Sequence, residues 1–185
     1  LTRAIELGTK AVALDPEATD AQMLLAQIYN HQGKPSAAQR YIQAAMALVP
    51  SDADTLAALG EIFRGTERSG EAISYLKRAM KLDPHYPTQY LSWLGHAYFV
   101  TGDYKEAIRV LRQGIIRAPN YVALHVFLTA SHAMAGSIDD ARASAEQVLR
   151  LNPKFSLKAL ATYSSSQPRK MDKILSALRK AGLPD

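Results

Sequence analysis

Residues 79–84 read AMKLDP, and a phrase of the same form returns as AVALDP (11–16), AMALVP (45–50), GIIRAP (114–119) and VLRLNP (148–153). The closing prolines, Pro16, Pro50, Pro84, Pro119 and Pro153, are spaced by 34, 34, 35 and 34 residues. A fixed period of this length signals a stacked repeat. Proline lacks the backbone N–H and clashes with the preceding turn, so each phrase marks where a helix stops.

Outward from the prolines, the chain divides into four full units at 19–50, 53–84, 88–119 and 122–153, with the extra residue in the His85-Tyr86-Pro87 connection. Leucine recurs as Leu25, Leu59, Leu94 and Leu128; a small residue as Ala26, Gly60, Gly95 and Thr129; an aromatic as Tyr29, Phe63, Tyr98 and, in the last unit, His132. In the second half of each unit Ala38, Ala72, Ala107 and Ala141 are constant, followed by Ile42, Leu76, Leu111 and Ala145, then by Ala45, Ala79, Gly114 and Val148. Two antiparallel helices approach closely only where side chains are small, and large residues fill the space between. A lone hairpin would leave half of that apolar surface wet, and stacking buries it. Gly33, Gly102 and Gly136 stand where a first helix should end in a left-handed cap, while the second unit offers Gly65 and Gly70 around an irregular TERS turn.

On these columns the chain resembles the tetratricopeptide repeat family. The resemblance implies an all-α, right-handed superhelix of antiparallel helix pairs. Residues 1–16 match only the second helix of a hairpin, with Ala4 and Ala11 at small-residue sites, which predicts more array upstream. Residues 154–185 read as basic capping helices, Ser156 to Tyr163 and Met171 to Ala181, joined by SSSQPRK, with Gly182 as a cap and Pro184 as a stop.

Composition narrows the function. At 185 residues and 48% hydrophobic the chain supports a continuous core. It has no cysteine, which excludes disulfides, thiolate metal sites and cysteine nucleophiles. No apolar run approaches the ~18 residues of a membrane helix, and the start, Leu1-Thr2-Arg3, carries no signal-peptide pattern; a cytoplasmic location is expected. The net charge of +5 sits in the tail, where Lys154, Lys158, Arg169, Lys170, Lys173, Arg179 and Lys180 face only Asp172 and Asp185.

No catalytic, cofactor or metal constellation emerges, so no enzyme activity is expected of this chain. The five histidines are His31, His85, His96, His125 and His132. His125 and His132 share a helix face, but seven residues of rise set them about 10 Å apart, too far to chelate one ion. They read as core substitutes at the large and aromatic repeat sites. Ser164 to Ser166 lack the glycine-elbow context of a nucleophile. Asp20, Asp52 and Asp54 read as caps and first-turn acids.

Binding is the expected role. The family resemblance implies that the first helices line a concave groove, which by offset would present Met23, Gln27 and Asn30; Glu61 and Arg64; Ser92, His96 and Phe99; Val126, Ala130 and Ala133. Family members that clamp a chaperone's carboxylate use lysines and asparagines there, whereas this chain has Met23, Gln27, Ala57 and Glu61, so no such clamp is expected. The groove grows apolar toward its C-terminal half. The expected partner is a protein or peptide offering an apolar helix or an extended segment, although those positions could equally contact a capping helix. Trp93 and Phe127, at equivalent offsets, read either as a stacking anchor or as core.

More locally, AMKLDPHYPTQYLSWLGHAYFVTGDYKEAI (79–108), LRLNPKFSLKAL (149–160) and LRKAGLPD (178–185) resemble the C-terminal repeat regions of bacterial adenylate/guanylate cyclase-type signalling proteins. That resemblance implies a regulatory or homodimerising domain. A third reading places the basic tail on nucleic acid or an anionic membrane, against which its helical charge spacing argues for a solvated cap.

Overall fold

The computed structural model describes residues 2–48, 52–163 and 168–185. Among them are eleven α-helices and no strand: α1 (Thr2–Leu14), α2 (Thr19–His31), α3 (Pro35–Leu48), α4 (Ala53–Phe63), α5 (Ser69–Leu82), α6 (Gln89–Thr101), α7 (Tyr104–Arg117), α8 (Val122–Met134), α9 (Ile138–Leu151), α10 (Leu157–Tyr163) and α11 (Pro168–Lys180). Helices α2 to α9 form four hairpins, each packed on the next, so the fold is an all-α superhelix. The helices before Pro16, Pro84, Pro119 and Pro153 each end two residues ahead of the proline; Pro50 lies outside the described residues.

The small columns work by close approach. A Cβ on Gly60 would collide with Leu76, and one on Gly95 would lie 2.5 Å from Leu111. The partner stands sixteen residues further on in both hairpins. The same offset relates Ala26 to Ile42 and Thr129 to Ala145, so in the sequence the largest residue of one column is matched with the smallest of the other. Ala72, Ala107 and Ala141 are fully buried and Ala38 nearly so.

Two polar substitutes in the core find a partner in the carbonyl of the preceding proline, as buried donors require. Gln22 donates from Nε2 to the Pro16 carbonyl at 2.5 Å, and His125 donates from Nε2 to the Pro119 carbonyl at 2.7 Å, each six residues past its proline. His125 therefore ties the start of a hairpin to the preceding helix stop. His132, 3% exposed at the aromatic site, has no hydrogen-bond partner for Nδ1; Asp140 is the nearest acid, at 3.8 Å.

Gly33, Gly102 and Gly136 take positive φ at the hairpin turns, and Gly182 does so after α11. The TERS turn departs from that scheme, because neither Gly65 nor Gly70 is left-handed. Side chains close it instead: Thr66 Oγ1 donates to the Phe63 carbonyl and Ser69 Oγ to that of Thr66. Asp52 caps α4 by accepting the Thr55 N–H at 2.8 Å.

In the tail, Pro168 occupies the first turn of α11 rather than the connection, a position where its missing N–H costs nothing. Helix α11 packs on α8. Ile174, Ala177, Leu178, Ala181 and Leu183 are buried and join the cluster that includes Phe99, Ala130 and Ala133. The Leu157 N–H donates to the Pro184 carbonyl at 2.9 Å, which pins the C-terminus to the start of α10.

Candidate functional site

A cleft of about 360 Å³ opens between the first helices and the tail. Its polar wall comes from α2, α4 and α6, where residues three or four apart share a helix face. Side chains one repeat apart bridge adjacent helices. Gln27 Nε2 donates to Glu61 Oε2 at 2.8 Å, and Asn30 Nδ2 reaches the Ile62 carbonyl at 3.5 Å. Arg64 Nη1 lies 2.9 Å from His96 Nδ1. A guanidinium can only donate, so Nδ1 accepts and the neutral His96 ring carries its proton on Nε2.

The rest of the lining is mostly apolar. Phe127 stacks on the His96 ring with centroids 4.4 Å apart, and Trp93 stacks on Tyr90 at 5.5 Å. Val126 continues this wall on α8, and Leu160, Met171 and Ile174 close it from α10 and α11. Gly65 sits at the rim, where a Cβ would come within 3.4 Å of the His96 ring. Tyr121 also lines the cleft; burial raises its hydroxyl above the ordinary tyrosine range, Arg64 opposes that rise, Glu61 adds to it, and a hydrogen bond with Ser92 lowers it.

Seven of the groove positions read by offset come together in this cleft: Gln27, Asn30, Glu61, Arg64, Ser92, His96 and Val126. Met23 faces a smaller hollow of about 170 Å³ between α2 and α4. Phe99, Ala130 and Ala133 do not line an open groove. Phe99 and Ala130 are fully buried and Ala133 is 7% exposed. Phe99 tilts against Tyr104, and the Lys173 ammonium lies 5.7 Å from the Phe99 ring and 5.3 Å from that of Tyr104. The apolar half of the expected groove is thus occupied by the tail helix of the same chain.

Of the two readings left open for the apolar offsets, an exposed groove or contact with a capping helix, the structure shows the second at Phe99, Ala130 and Ala133. The stripe Met171, Ile174, Leu175 and Leu178 was legible as one apolar face, but spacing does not say what that face covers. Trp93 and Phe127 were singled out, and both are half-buried members of the cleft.

Among the described residues no cluster of His, Asp or Glu is arranged to hold a metal, and no helix is long and apolar enough to cross a membrane. Ser164 to Ser166, and the side chains of Arg169 and Lys170, lie outside the described residues. Of the remaining tail cations, Arg179 pairs with Asp185 at the C-terminus and Lys173 covers aromatic rings.

Stacked hairpins with a concave cleft define a helical-repeat scaffold. Sequence models described as "Tetratricopeptide repeat" match residues 17–84, 65–130 and 98–163. The chain belongs to the tetratricopeptide repeat family. Solved structures of the same fold include PilW, a widely conserved type IV pilus biogenesis factor, with a TM-score of 0.76 and 21% identity over 94% of this chain and 78% of that one. YrrB, a TPR protein with an unusual peptide-binding site, gives 0.63 and 20% over 96% and 91%. An O-GlcNAc transferase variant from Thermobaculum terrenum gives 0.63 and 22%, over 71% of this chain and 26% of the enzyme. No curated protein sequence matches the chain. The resemblance to nucleotide-cyclase regions finds no support in these matches, which speak of the repeat alone.

Proposed function

We propose that this chain is a protein-interaction scaffold that holds a segment of a partner protein in the cleft between α2, α4, α6, α8 and the tail. The observation that carries this reading is the pairing of two unlike walls. Amide, hydroxyl and ring groups of Gln27, Asn30, Ser92 and His96 line the same cleft as the half-buried aromatic surface of Trp93 and Phe127. The first wall suits a peptide backbone and the second a side chain, the usual division of labour in a recognition cleft. That one structural neighbour is described as having a peptide-binding site is consistent with this reading.

The test is affinity capture from a native lysate with the wild-type chain and with Gln27→Ala and Trp93→Ala variants whose helicity and melting cooperativity are retained. A specific partner captured by the wild type and lost from both variants supports the cleft. A partner retained by both variants sinks it.

A further inference from the structure

Resting on that reading, we infer that the tail is a working wall of the site, and that the cleft takes an extended, uncharged segment carrying one large apolar anchor side chain, clasped between Trp93 and Phe127 on one side and Met171 and Leu160 on the other.

The first step is geometric. Helix α11 fills the broad apolar part of the groove, burying the face of α8 and covering Phe99. It is held as part of the core, with Ile174 at 2% exposure and Ala177 and Leu178 at 0%. Its end is fixed by the left-handed Gly182 and by the bond from the Leu157 N–H to the Pro184 carbonyl. What stays open is about 360 Å³, with Leu160, Met171 and Ile174 on its boundary. Removing the tail would therefore remove one side of the cleft rather than unblock it.

The packing then selects the shape of the occupant. The seat that a partner helix would take along α8 is already filled by α11, whose Ile174, Ala177 and Leu178 are buried. What remains is a cleft of about 360 Å³, near the lower end of the ~300–1,000 Å³ typical of ligand pockets, which suits one large side chain with its flanking backbone. Of the helix and the extended segment that the sequence left open, this favours the extended one.

Charge selects the chemistry. The fixed charges on the described lining are Glu61 and Arg64, which are opposite in sign and flank the same Tyr121. Each already has a partner inside the cleft, Gln27 for Glu61 and His96 for Arg64. A charged anchor would give up its hydration and meet no net counter-charge, which is costly in a partly buried site. Apolar rings and thioether carbon face the space that remains, and methionine adapts to anchors of different shape.

The experiment uses the full chain and a random twelve-residue peptide library displayed on phage. Selected peptides are synthesised and titrated against the wild type, Met171→Glu and Leu160→Ala, with Trp93, the sole tryptophan, as the fluorescent reporter. Both substituted residues are half-buried, and each variant is accepted only if its melt matches the wild type. The expected result is peptides with one Leu, Met, Phe or Trp in an uncharged context. Replacing that residue by Ala, or Met171 by Glu, should weaken Kd by about tenfold or more, and Leu160→Ala should weaken it to a lesser degree. Peptides that move Trp93 fluorescence yet bind both tail variants like the wild type overturn the tail's role and leave the cleft as the site. Anchors that are charged, or peptides that bind only as helices, overturn the stated chemistry. A library that yields no peptide overturns both this inference and the proposed function.

Discussion

At the scale of single residues, His132 occupies a site where the other units carry Tyr29, Phe63 and Tyr98. Burial pushes its imidazole pKa below the ordinary value of 6.5; Asp140 opposes that shift and Arg112 adds to it. The folded chain thus binds fewer protons here than the unfolded chain does. By linkage the contribution is fully present above pH 6.5 and declines as pH falls from 6.5 toward the depressed folded value. Urea midpoints measured at pH 7.5 and 5.5 should therefore fall further for the wild type than for His132→Phe, which places the Phe63 side chain at this site. Equal falls would show that His132 does not titrate in that window. A second residue pair tests the close-approach columns. Alanine is favoured over glycine inside a helix by about 1 kcal/mol, but the Cβ of Gly95→Ala would meet Leu111 at 2.5 Å, and overpacking costs about 1–3 kcal/mol. Gly95→Ala should lower stability by up to about 2 kcal/mol. Leu111→Ala alone should cost about 2–5 kcal/mol through its cavity. The double variant should lose less than the sum, because Thr129 with Ala145 already realises the large-with-small arrangement one hairpin later. Strict additivity in a chemical-denaturation cycle would refute the pairing.

At the scale of elements, helix ends illustrate what could be read and what could not. Asp52 was legible as a cap, and it accepts the Thr55 N–H, the largest cause of its lowered carboxyl pKa. Asp52→Ala should cost about 1 kcal/mol at pH 7. The loss should shrink as pH falls from the unfolded value of 3.8 through the lower folded one, because a protonated cap no longer attracts the N–H. Asp52→Asn should keep the cap while removing that acid dependence; denaturation at pH 7 and pH 3 separates the two. The turn after α4 was not legible in the same way. The sequence marked the turn as irregular, with Gly65 and Gly70 in it, but not what closes it: neither glycine is left-handed, and the hydroxyls of Thr66 and Ser69 donate to nearby carbonyls instead. The tail shows the same limit at larger size. Periodicity exposed the apolar face of α11 and its Gly182 stop, because both are local properties. Its seat on α8 depends on tertiary packing, so Phe99, Ala130 and Ala133 read as groove and turned out to be covered.

For the whole molecule, the proline period made the array legible before any contact was known, because each unit repeats the same local solution to burying a hairpin. The cleft was legible only in its first-helix half, since its other half comes from a segment outside the repeat. This construction bears on stability as well. Repeat arrays are nearly one-dimensional, each unit leaning on its neighbours, and here the apolar interior separates into two clusters. One contains Leu25, Ile42, Leu59 and Phe63; the other runs from Leu56 and Leu76 to Leu178 and Leu183. Leu25 and Leu178 are both fully buried and belong to different clusters. Truncating either to Ala should cost about 2–5 kcal/mol, but in different places. Native-state hydrogen exchange should show protection falling first in α1 to α3 for Leu25→Ala and in α8 to α11 for Leu178→Ala, as expected of sub-global opening. The two costs should add within ~0.5 kcal/mol in the double variant, as for sites without shared partners. If both variants instead lowered protection uniformly along the chain, the array would unfold as one unit. The tail would then stabilise α2 as strongly as it stabilises α8.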